Sequence, residues 1–465
     1  MSQYEEYRSP FSWRYGSEEM RQIWSEIHTR QIWRHLWILL AEVQREFGLT
    51  TTDQINDLKT HEFDIDLDRA YEIESQIHHD LMAEIRTYSE QCLIGGGIIH
   101  LGATSVDIKD NATILQIKDS LNLIIDQLIY LLLTFADLID CYNEFPIIGF
   151  THLQPAEPTT LGYRLAQNTQ DLFTDLQNLL RIRKNLLGKG FKGSVGTSAS
   201  FAELMGKDQL PQFEIMLSQK LGINFFPVTT QTYPRKQDYE ILCSLAGIGA
   251  SIYKFAFDLR FLQTPPIGEV AEPFGVEQVG SSAMPFKRNP IISEKMNSLA
   301  RFLAQYPRTA WDNAANSILE RTLDDSANRR TLIPEAFLIT DELLHDASVI
   351  IKNISIDENA MKLNLDYYGP FAAVERLLMA LCKAGADRQK MHEKLRVHSL
   401  TAIEAIKKEQ TNPLKGLLQN DPEIMSLLAK DEFDNLMKYQ EYIGDAAKRA
   451  KSLVKNIRSY IQSEI

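Results

Sequence analysis

Cysteine is scarce in this chain, and its few copies are widely separated. The 465 residues contain four cysteines that form no CxxC pair, namely Cys92, Cys141, Cys243 and Cys382. This usage excludes a disulfide framework and is typical of proteins in a reducing compartment. We therefore predict a cytoplasmic protein.

Several catalytic motifs are also absent. The sequence contains no HExxH, no GxSxG and no GxxxxGK[ST] segment, which argues against the hydrolases and nucleotide-binding loops that carry them. The adjacent His78 and His79 would point about 100° apart on a helix, so they make a poor pair of metal ligands. We predict no catalytic metal and no cofactor.

Positive charge is not in excess. The chain has 49 Lys and Arg residues against 62 Asp and Glu residues, a net charge of −13, which argues against a general nucleic-acid binder. The N-terminal segment MSQYEEYRSP lacks the basic and apolar regions of a signal peptide. The most apolar segment, 121–139, is interrupted by Asp126 and Asp137. A buried bundle helix is therefore favoured over a membrane span.

What the chain does have is helical periodicity over most of its length. No repeat of 20–50 residues and no low-complexity segment is visible. The pattern predicts an all-α protein with helices at about 18–46, 66–92, 108–143, 159–187, 236–262, 291–318 and 332–353. One short strand candidate is 225–229. The helix at 108–143 is apolar almost all round, which predicts a central bundle buried partly by other subunits.

The segment 280–290, GSSAMPFKRNP, has neither helical nor strand periodicity. Pro285 and Pro290 restrict its backbone, and Gly280 frees it. Asn289 followed by Pro290 predicts an N-cap and first turn of a helix. The following apolar residues lie on one helix face, at Ile292, Met296, Leu299, Leu303 and Tyr306. The helix start and Lys287 would together attract negative charge, although a surface loop with incidental charges explains the composition equally well.

Three further segments carry residues with possible chemistry. His152, in the proline-bounded loop 149–156, is available as an acid or base, although packing histidines are commoner. Segment 99–105 has hydroxyls and a glycine that would suit close approach of the backbone to a bound anion. The alternative interpretation is that the segment is the ordinary start of a helix. In segment 321–330, Ser326 and Arg330 share one face if helical and could bind a phosphate. A solvated run of charges explains that last segment equally well.

Segment 280–290 resembles the signature loop of the fumarase/aspartase superfamily, usually written GSSxMPxKxNP. Segments across nearly the whole chain further resemble the adenylosuccinate lyase family, in particular its animal-type members. These segments are SP…RYGS at 9–17, IIHLGATS at 98–105, GFTHLQPA at 149–156, QTY at 231–233, RTLDDSANRR at 321–330 and residues 383–394.

The resemblance implies a three-domain helical fold with a central bundle of long helices. The implied domains are 1–103, 104–356 and 357–465. It further implies a homotetramer in which segments 100–105, 150–156 and 280–290 of one active site come from different chains. The implied reaction is the anti β-elimination of fumarate from small nucleotide substrates, adenylosuccinate and SAICAR.

The resemblance also assigns residues to roles. Ser281 is implied as the base, His152 as the acid, Glu294 as the partner of that histidine, and Lys287 with Asn289 as groups that stabilise charge. The remaining residues are implied to hold the nucleotide and the succinyl part: Arg14, Tyr15, His78, His79, Asp80, Thr104, Ser105, Gln231, Ser282, Lys295, Arg321, Ser326 and Arg330.

Departures from the family pattern are visible at four positions. Trp13 and Gly16 replace small residues, and His78 and Lys295 stand where an arginine is usual.

Two alternative functions stay open at this stage. Argininosuccinate lyase would keep segment 280–290 but has no reason to keep the 321–330 set. A non-catalytic protein on a lyase scaffold would be free to lose Ser281, Lys287 and His152.

Overall fold

The computed structural model describes residues 5–408 and 411–464. Helices make up 68% of the chain, which confirms the predicted all-α class. Their bounds are Glu18–Ile23, Glu26–Glu46, Thr52–Thr60, Leu67–Ile77, Asp80–Gln91, Ser105–Tyr142, Leu161–Lys184, Ala199–Met205, Leu210–Leu221, Lys236–Leu262, Ile291–Leu303, Tyr306–Ala315, Ser326–Lys352, Glu358–Lys383, Arg388–Lys407, Leu414–Gln419, Pro422–Met425, Lys430–Leu436 and Ala446–Glu464.

Short strands form three two-stranded pairs in the described part of the chain. Pro146–Thr151 pairs antiparallel with Gln154–Thr160, Leu187–Gly188 pairs parallel with Asn224–Phe225, and Val270–Ala271 pairs antiparallel with Ser355–Ile356. The strand predicted at 225–229 therefore lies slightly earlier and is shorter.

The chain divides into two compact units. The first comprises 1–128, 174–250 and 298–345, and the second comprises 129–173, 251–297 and 346–465. The buried core of the second includes a cluster in its C-terminal part, formed by Leu377, Leu381, Met391, Leu395, Leu418 and Phe433 among others. The three-part division at about residues 104 and 356 stays a prediction.

Three of the predicted helices are each two helices in the structure. The helix predicted at 18–46 breaks at Trp24, where the Ser25 side chain accepts the N–H of His28 and starts a new helix. The helix predicted at 66–92 breaks at His78, which has a positive φ of 54°, and at His79, which caps the next helix. The helix predicted at 291–318 breaks before Tyr306. Local capping bonds override a continuous apolar pattern at the first two breaks.

The long helix Ser105–Tyr142 buries one side in the core, including Leu121, Leu128, Leu132 and Phe135. Its exposed stripe carries Asp119, Asp126, Tyr130 and Asp137. The prediction that this helix is apolar almost all round is therefore wrong for that stripe.

Two helices, Ser105–Tyr142 and Lys236–Leu262, satisfy the length and composition of a membrane span. The core helices of soluble proteins satisfy the same criteria, so this finding is weak evidence for a membrane.

Asp421 anchors part of the C-terminal region. Each of its two carboxylate oxygens accepts a bond from Lys394 Nζ at 3.1 Å. The carboxylate also accepts bonds from His398 Nε2 at 3.0 Å and from the N–H groups of Glu423 and Ile424. Burial alone would raise the pKa of Asp421, but the bonds from His398, Lys394 and the two N–H groups outweigh it and lower the pKa to about 2.

We expect Asp421→Asn to destabilise the protein in a pH-dependent way. Because the folded pKa lies below the unfolded value of about 3.9, the stabilisation is present above pH 4. It is lost as the pH falls through the folded pKa of about 2. The free energy of unfolding should fall by about 2 kcal/mol at pH 7, and the difference from the unaltered protein should shrink below pH 4. Urea unfolding between pH 7 and pH 3 checks this, and a difference that grows on acidification contradicts it.

Candidate active site

The 280–290 segment, called the signature loop below, has a narrow neck and an exposed tip. Asn289 Nδ2 donates to the carbonyl of Gly280 at 2.8 Å, which closes the neck. A Cβ at Gly280 would lie 2.1 Å from the carbonyl oxygen of Lys287, so only glycine fits there. Ser281 Oγ accepts the N–H groups of Ala283 and Met284 at 3.4 and 3.1 Å. The loop thus presents Ser281 in a tight turn.

The tip of the signature loop exposes its polar groups. Ser282 and Lys287 are exposed, and Lys287 has no ion-pair partner among the residues that the structure describes. Beside the loop lies a cavity of about 1060 Å³, whose lining includes Phe257, Phe261, Lys287 and Glu294. An exposed cation beside a cavity is available to a negatively charged ligand.

The helix that follows the loop begins differently from the prediction. The N–H groups of Ile292 and Ser293 donate to the carboxylate of Glu272 at 3.1 and 2.9 Å. The cap is therefore Glu272, from a distant segment, and not Asn289, whose side chain serves the neck. Because these N–H groups already hold a carboxylate, they do not offer the free anion site that the sequence predicts.

Glu294 and Lys295 have partners within their own unit. Glu294 lies 3.6 Å from Arg260, and Lys295 lies 2.9 Å from Asp346. Glu294 is half-exposed at 51%. Within one chain the structure does not bring Glu294 to His152, so their pairing stays a prediction about the assembled protein.

His152 lies at the tip of a hairpin and not in the loop that the sequence predicts. Thr151 pairs with Gln154 across the two strands, so His152 and Leu153 form a two-residue turn. Both have positive φ values, 52° and 57°, which match the turn that twisted hairpins favour. Positive φ is uncommon for residues other than glycine and concentrates at functional sites. His152 is exposed and has no hydrogen-bond partner within residues 5–408 and 411–464.

A second group of predicted residues meets around Asp80 in the first unit. Asp80 accepts Lys109 Nζ at 2.5 Å and Arg330 Nη2 at 2.8 Å. His79 Nε2 lies 3.4 Å from Ser105 Oγ, and its Nδ1 accepts the N–H of Met82. Burial raises the pKa of Asp80, but Lys109, the N–H of Leu81 and Arg330 outweigh burial and lower it.

A cavity of about 330 Å³ in this unit is lined by Asp80, Lys109, Arg321, Ser326 and Arg330, among others. The helix Ser326–Lys352 begins at Ser326, so Ser326 and Arg330 share one face as predicted. Arg330 is 63% exposed, so its guanidinium is accessible from solvent although it is paired with Asp80. The cavity is suited to an anion beside a helix start.

Arg321 is more constrained than the sequence indicates. Its Nη1 lies 3.0 Å from Asp325, whose other oxygen accepts Arg235 Nε at 2.6 Å. Arg235 in turn holds Asp110 with two bonds, at 3.0 and 3.1 Å. Burial lowers the pKa of Arg321 in spite of Asp325. Arg321 therefore belongs to a paired network that forms the cavity wall.

Thr104 is held by a buried carboxylate, that of Asp107. This carboxylate accepts the N–H groups of Thr104, Lys192 and Gly193 at 2.9 to 3.2 Å, and it also pairs with the Lys189 ammonium group. The side chains of Asp107 and Lys189 are both fully buried. This network fixes the segment that carries Thr104 and Ser105.

Arg14, Tyr15, His78 and Gln231 are among the predicted binding residues that line neither cavity. Arg14 stacks near Trp13 and Tyr15, His78 ends a helix, and the N–H of Gln231 donates to the carbonyl of Glu320. Conversely, the cavity in the first unit is also lined by Lys109, Arg235 and Arg329, which the sequence did not single out. Lys109 and Arg235 lie outside every motif quoted above, because their partners are distant in sequence, and Arg329 lies inside the 321–330 segment without a role assigned to it.

The fold and the signature loop define a lyase of the fumarase/aspartase class. Residues 40–302 match the family model described as Lyase, and residues 370–453 match the model described as Adenylosuccinate lyase C-terminus. The chain belongs to the adenylosuccinate lyase family, a family of carbon–nitrogen lyases.

Similar proteins agree with this assignment. The adenylosuccinate lyase of Schistosoma mansoni is 41% identical over 90% of this chain and 89% of its own length. The adenylosuccinate lyase of Schizosaccharomyces pombe is 37% identical over 98% of this chain and 95% of its own length. The solved 3-carboxy-cis,cis-muconate lactonizing enzyme from Pseudomonas putida has a TM-score of 0.86 at 24% identity, covering 97% of this chain and 100% of that one. This last likeness concerns the fold alone.

Proposed function

We propose that the protein cleaves adenylosuccinate to AMP and fumarate, and SAICAR to AICAR and fumarate, in the cytoplasm. The observation that carries this proposal is the 37% identity to an adenylosuccinate lyase over 98% of the chain. The Arg330 and Ser326 pair at an anion-suited cavity supports a nucleotide phosphate as part of the substrate. Argininosuccinate, which has no phosphate, would not use that pair.

In the proposed mechanism Ser281 acts as an alkoxide, whose charge the N–H groups of Ala283 and Met284 stabilise, and it takes the proton from the carbon next to a substrate carboxylate. The charge that develops on this carboxylate is stabilised by Lys287, which is exposed and unpaired in the described chain. His152 donates a proton to the leaving nitrogen, and the carbon–nitrogen bond breaks to release fumarate. Because Glu272 already occupies the helix start after Pro290, Lys287 is the stabilising group in this proposal.

The proposal includes a homotetramer in which several chains contribute to each site. Large apolar side chains that are close in sequence are exposed at Ile318, Leu319 and Leu323, at 62, 82 and 71%. Soluble monomers rarely expose such clusters, so a second copy of the chain is the proposed cover. The exposed His152, which has no partner in its own chain, fits a site completed by another subunit.

One assay tests the proposed reaction. Purified protein should release fumarate from adenylosuccinate, observed spectrophotometrically, and should retain this activity in excess EDTA because no step in the mechanism uses a metal. Argininosuccinate is the control substrate. Release of fumarate from argininosuccinate alone contradicts the substrate assignment, and a complete loss in EDTA that zinc or magnesium restores contradicts the metal-free mechanism.

Arg330→Ala should weaken the binding of phosphate-bearing nucleotides. Loss of a charge-assisted bond costs about 1.5–3 kcal/mol, or roughly a 10- to 150-fold rise in the Kd for AMP. Adenosine, which has no phosphate, should bind the variant and the unaltered protein alike. Calorimetric titration with AMP and adenosine separates the two ligands, and an equal loss for both would assign Arg330 a structural role instead.

A further inference from the structure

Glu272 joins the signature loop and the following helix to the rest of their unit. It is 3% exposed, and it comes from the segment just after the strand Val270–Ala271. Its carboxylate accepts three bonds from the first turn of the helix Ile291–Leu303. These are the N–H of Ile292 at 3.1 Å and the N–H and hydroxyl of Ser293 at 2.9 Å each. Both carboxylate oxygens are therefore occupied.

The backbone of Glu272 forms a second connection to the loop. The N–H of Glu272 donates to Gln263 Oε1 at 3.1 Å, and Gln263 Nε2 donates to the carbonyl of Arg288 at 3.2 Å. Gln263 thus bridges Glu272 to the C-terminal end of the signature loop. Together with the neck bond between Asn289 and Gly280, these contacts fix where the loop enters its helix.

The groups that these contacts hold are the ones that the proposed reaction uses. Ser281 and Lys287 lie on the loop, and Glu294 lies on the helix turn that Glu272 caps. Glu272 is a carboxylate placed on a helix start, where the peptide dipoles favour negative charge. Its removal would leave the buried N–H of Ser293 and the partly buried N–H of Ile292 without their acceptor, and would loosen both the turn and the loop end.

We propose that Glu272 is a positioning residue for the elimination, which acts through the signature loop and Glu294. This inference rests on the proposed function. Glu272 also lines the cavity beside the signature loop. Because both of its oxygens already accept bonds from the helix, we assign it to holding the reacting groups in place and not to substrate binding. Misplacement of catalytic groups by about 1 Å can cost on the order of 100-fold in rate.

The test compares Glu272→Ala and Glu272→Gln with Glu277→Gln, an exposed glutamate in the same segment. We expect Glu272→Ala to lower kcat by about 100-fold and to leave the Kd for AMP within about threefold, because the AMP cavity belongs to a different set of residues. Glu272→Gln, which keeps one oxygen acceptor, should fall between, and Glu277→Gln should match the unaltered protein. A weakening of AMP binding as large as the loss in kcat overturns the proposal.

Hydrogen exchange provides a readout that does not depend on activity. The amides of Ile292 and Ser293 should exchange faster in Glu272→Gln than in Glu277→Gln. Unchanged exchange overturns the proposal even if Glu272→Ala fails to fold. If the unaltered protein releases no fumarate from any succinyl nucleotide, the proposed function fails, whereas faster exchange would still show that Glu272 holds this turn.

Discussion

His152→Ala and Ser281→Ala are expected to be nearly inactive separately and partly active when their chains are mixed. Loss of the acid or the base should each lower kcat by about 10²–10⁴-fold. If one site takes His152 from one chain and Ser281 from another, about a quarter of the sites in randomly mixed oligomers keep both residues. Up to that fraction of the unaltered activity should return.

The structure motivates this experiment through the residues around His152. Glu294, its implied partner, lies against Arg260 in its own chain, and His152 itself is exposed at a hairpin tip. The two variants should be co-refolded with different tags, and mixed oligomers should be isolated by both tags. Each variant refolded with itself is the control. Isolated mixed oligomers that are no more active than the parents would place both residues in the site of a single chain.

Asp107→Ala should cause the largest loss of stability of any substitution considered. It leaves the fully buried Lys189 without its carboxylate, and it leaves the N–H groups of Thr104, Lys192 and Gly193 without their acceptor. Removing one partner of a buried ion pair costs about 3–5 kcal/mol. Asp107→Asn should cost less, because the amide oxygen still accepts some of these bonds.

Urea unfolding or the thermal midpoint measures this loss, with Asp53→Ala as the matched control. Asp53 is an exposed aspartate in the first turn of the helix Thr52–Thr60, so its substitution should change stability by no more than about 0.5 kcal/mol. Hydrogen exchange should also accelerate at Thr104 and Gly193. An Asp107→Ala protein as stable as Asp53→Ala would mean that Lys189 finds another partner or loses its charge.

The helical class and the positions of the main helices follow from the sequence alone. Apolar side chains at three- and four-residue steps predict where an amphipathic helix buries one face, and that pattern is local. The helix breaks at Ser25 and His79 were missed, because a single capping bond outweighs a continuous pattern. The His152 hairpin was missed because its strands contain three prolines and its turn lacks the usual glycine.

The sequence by itself determined the class of protein, through a signature loop whose eleven residues match the pattern of the superfamily. Only the tertiary structure decided which charged side chains and helix N–H groups already have a partner within the chain. Glu272 fills the helix start that looked free, Asp325 holds Arg321, and Asp107 neutralises Lys189. These pairs join residues up to 82 positions apart. Local patterns do not encode such pairs, since a buried charge is satisfied by whichever partner the fold brings to it.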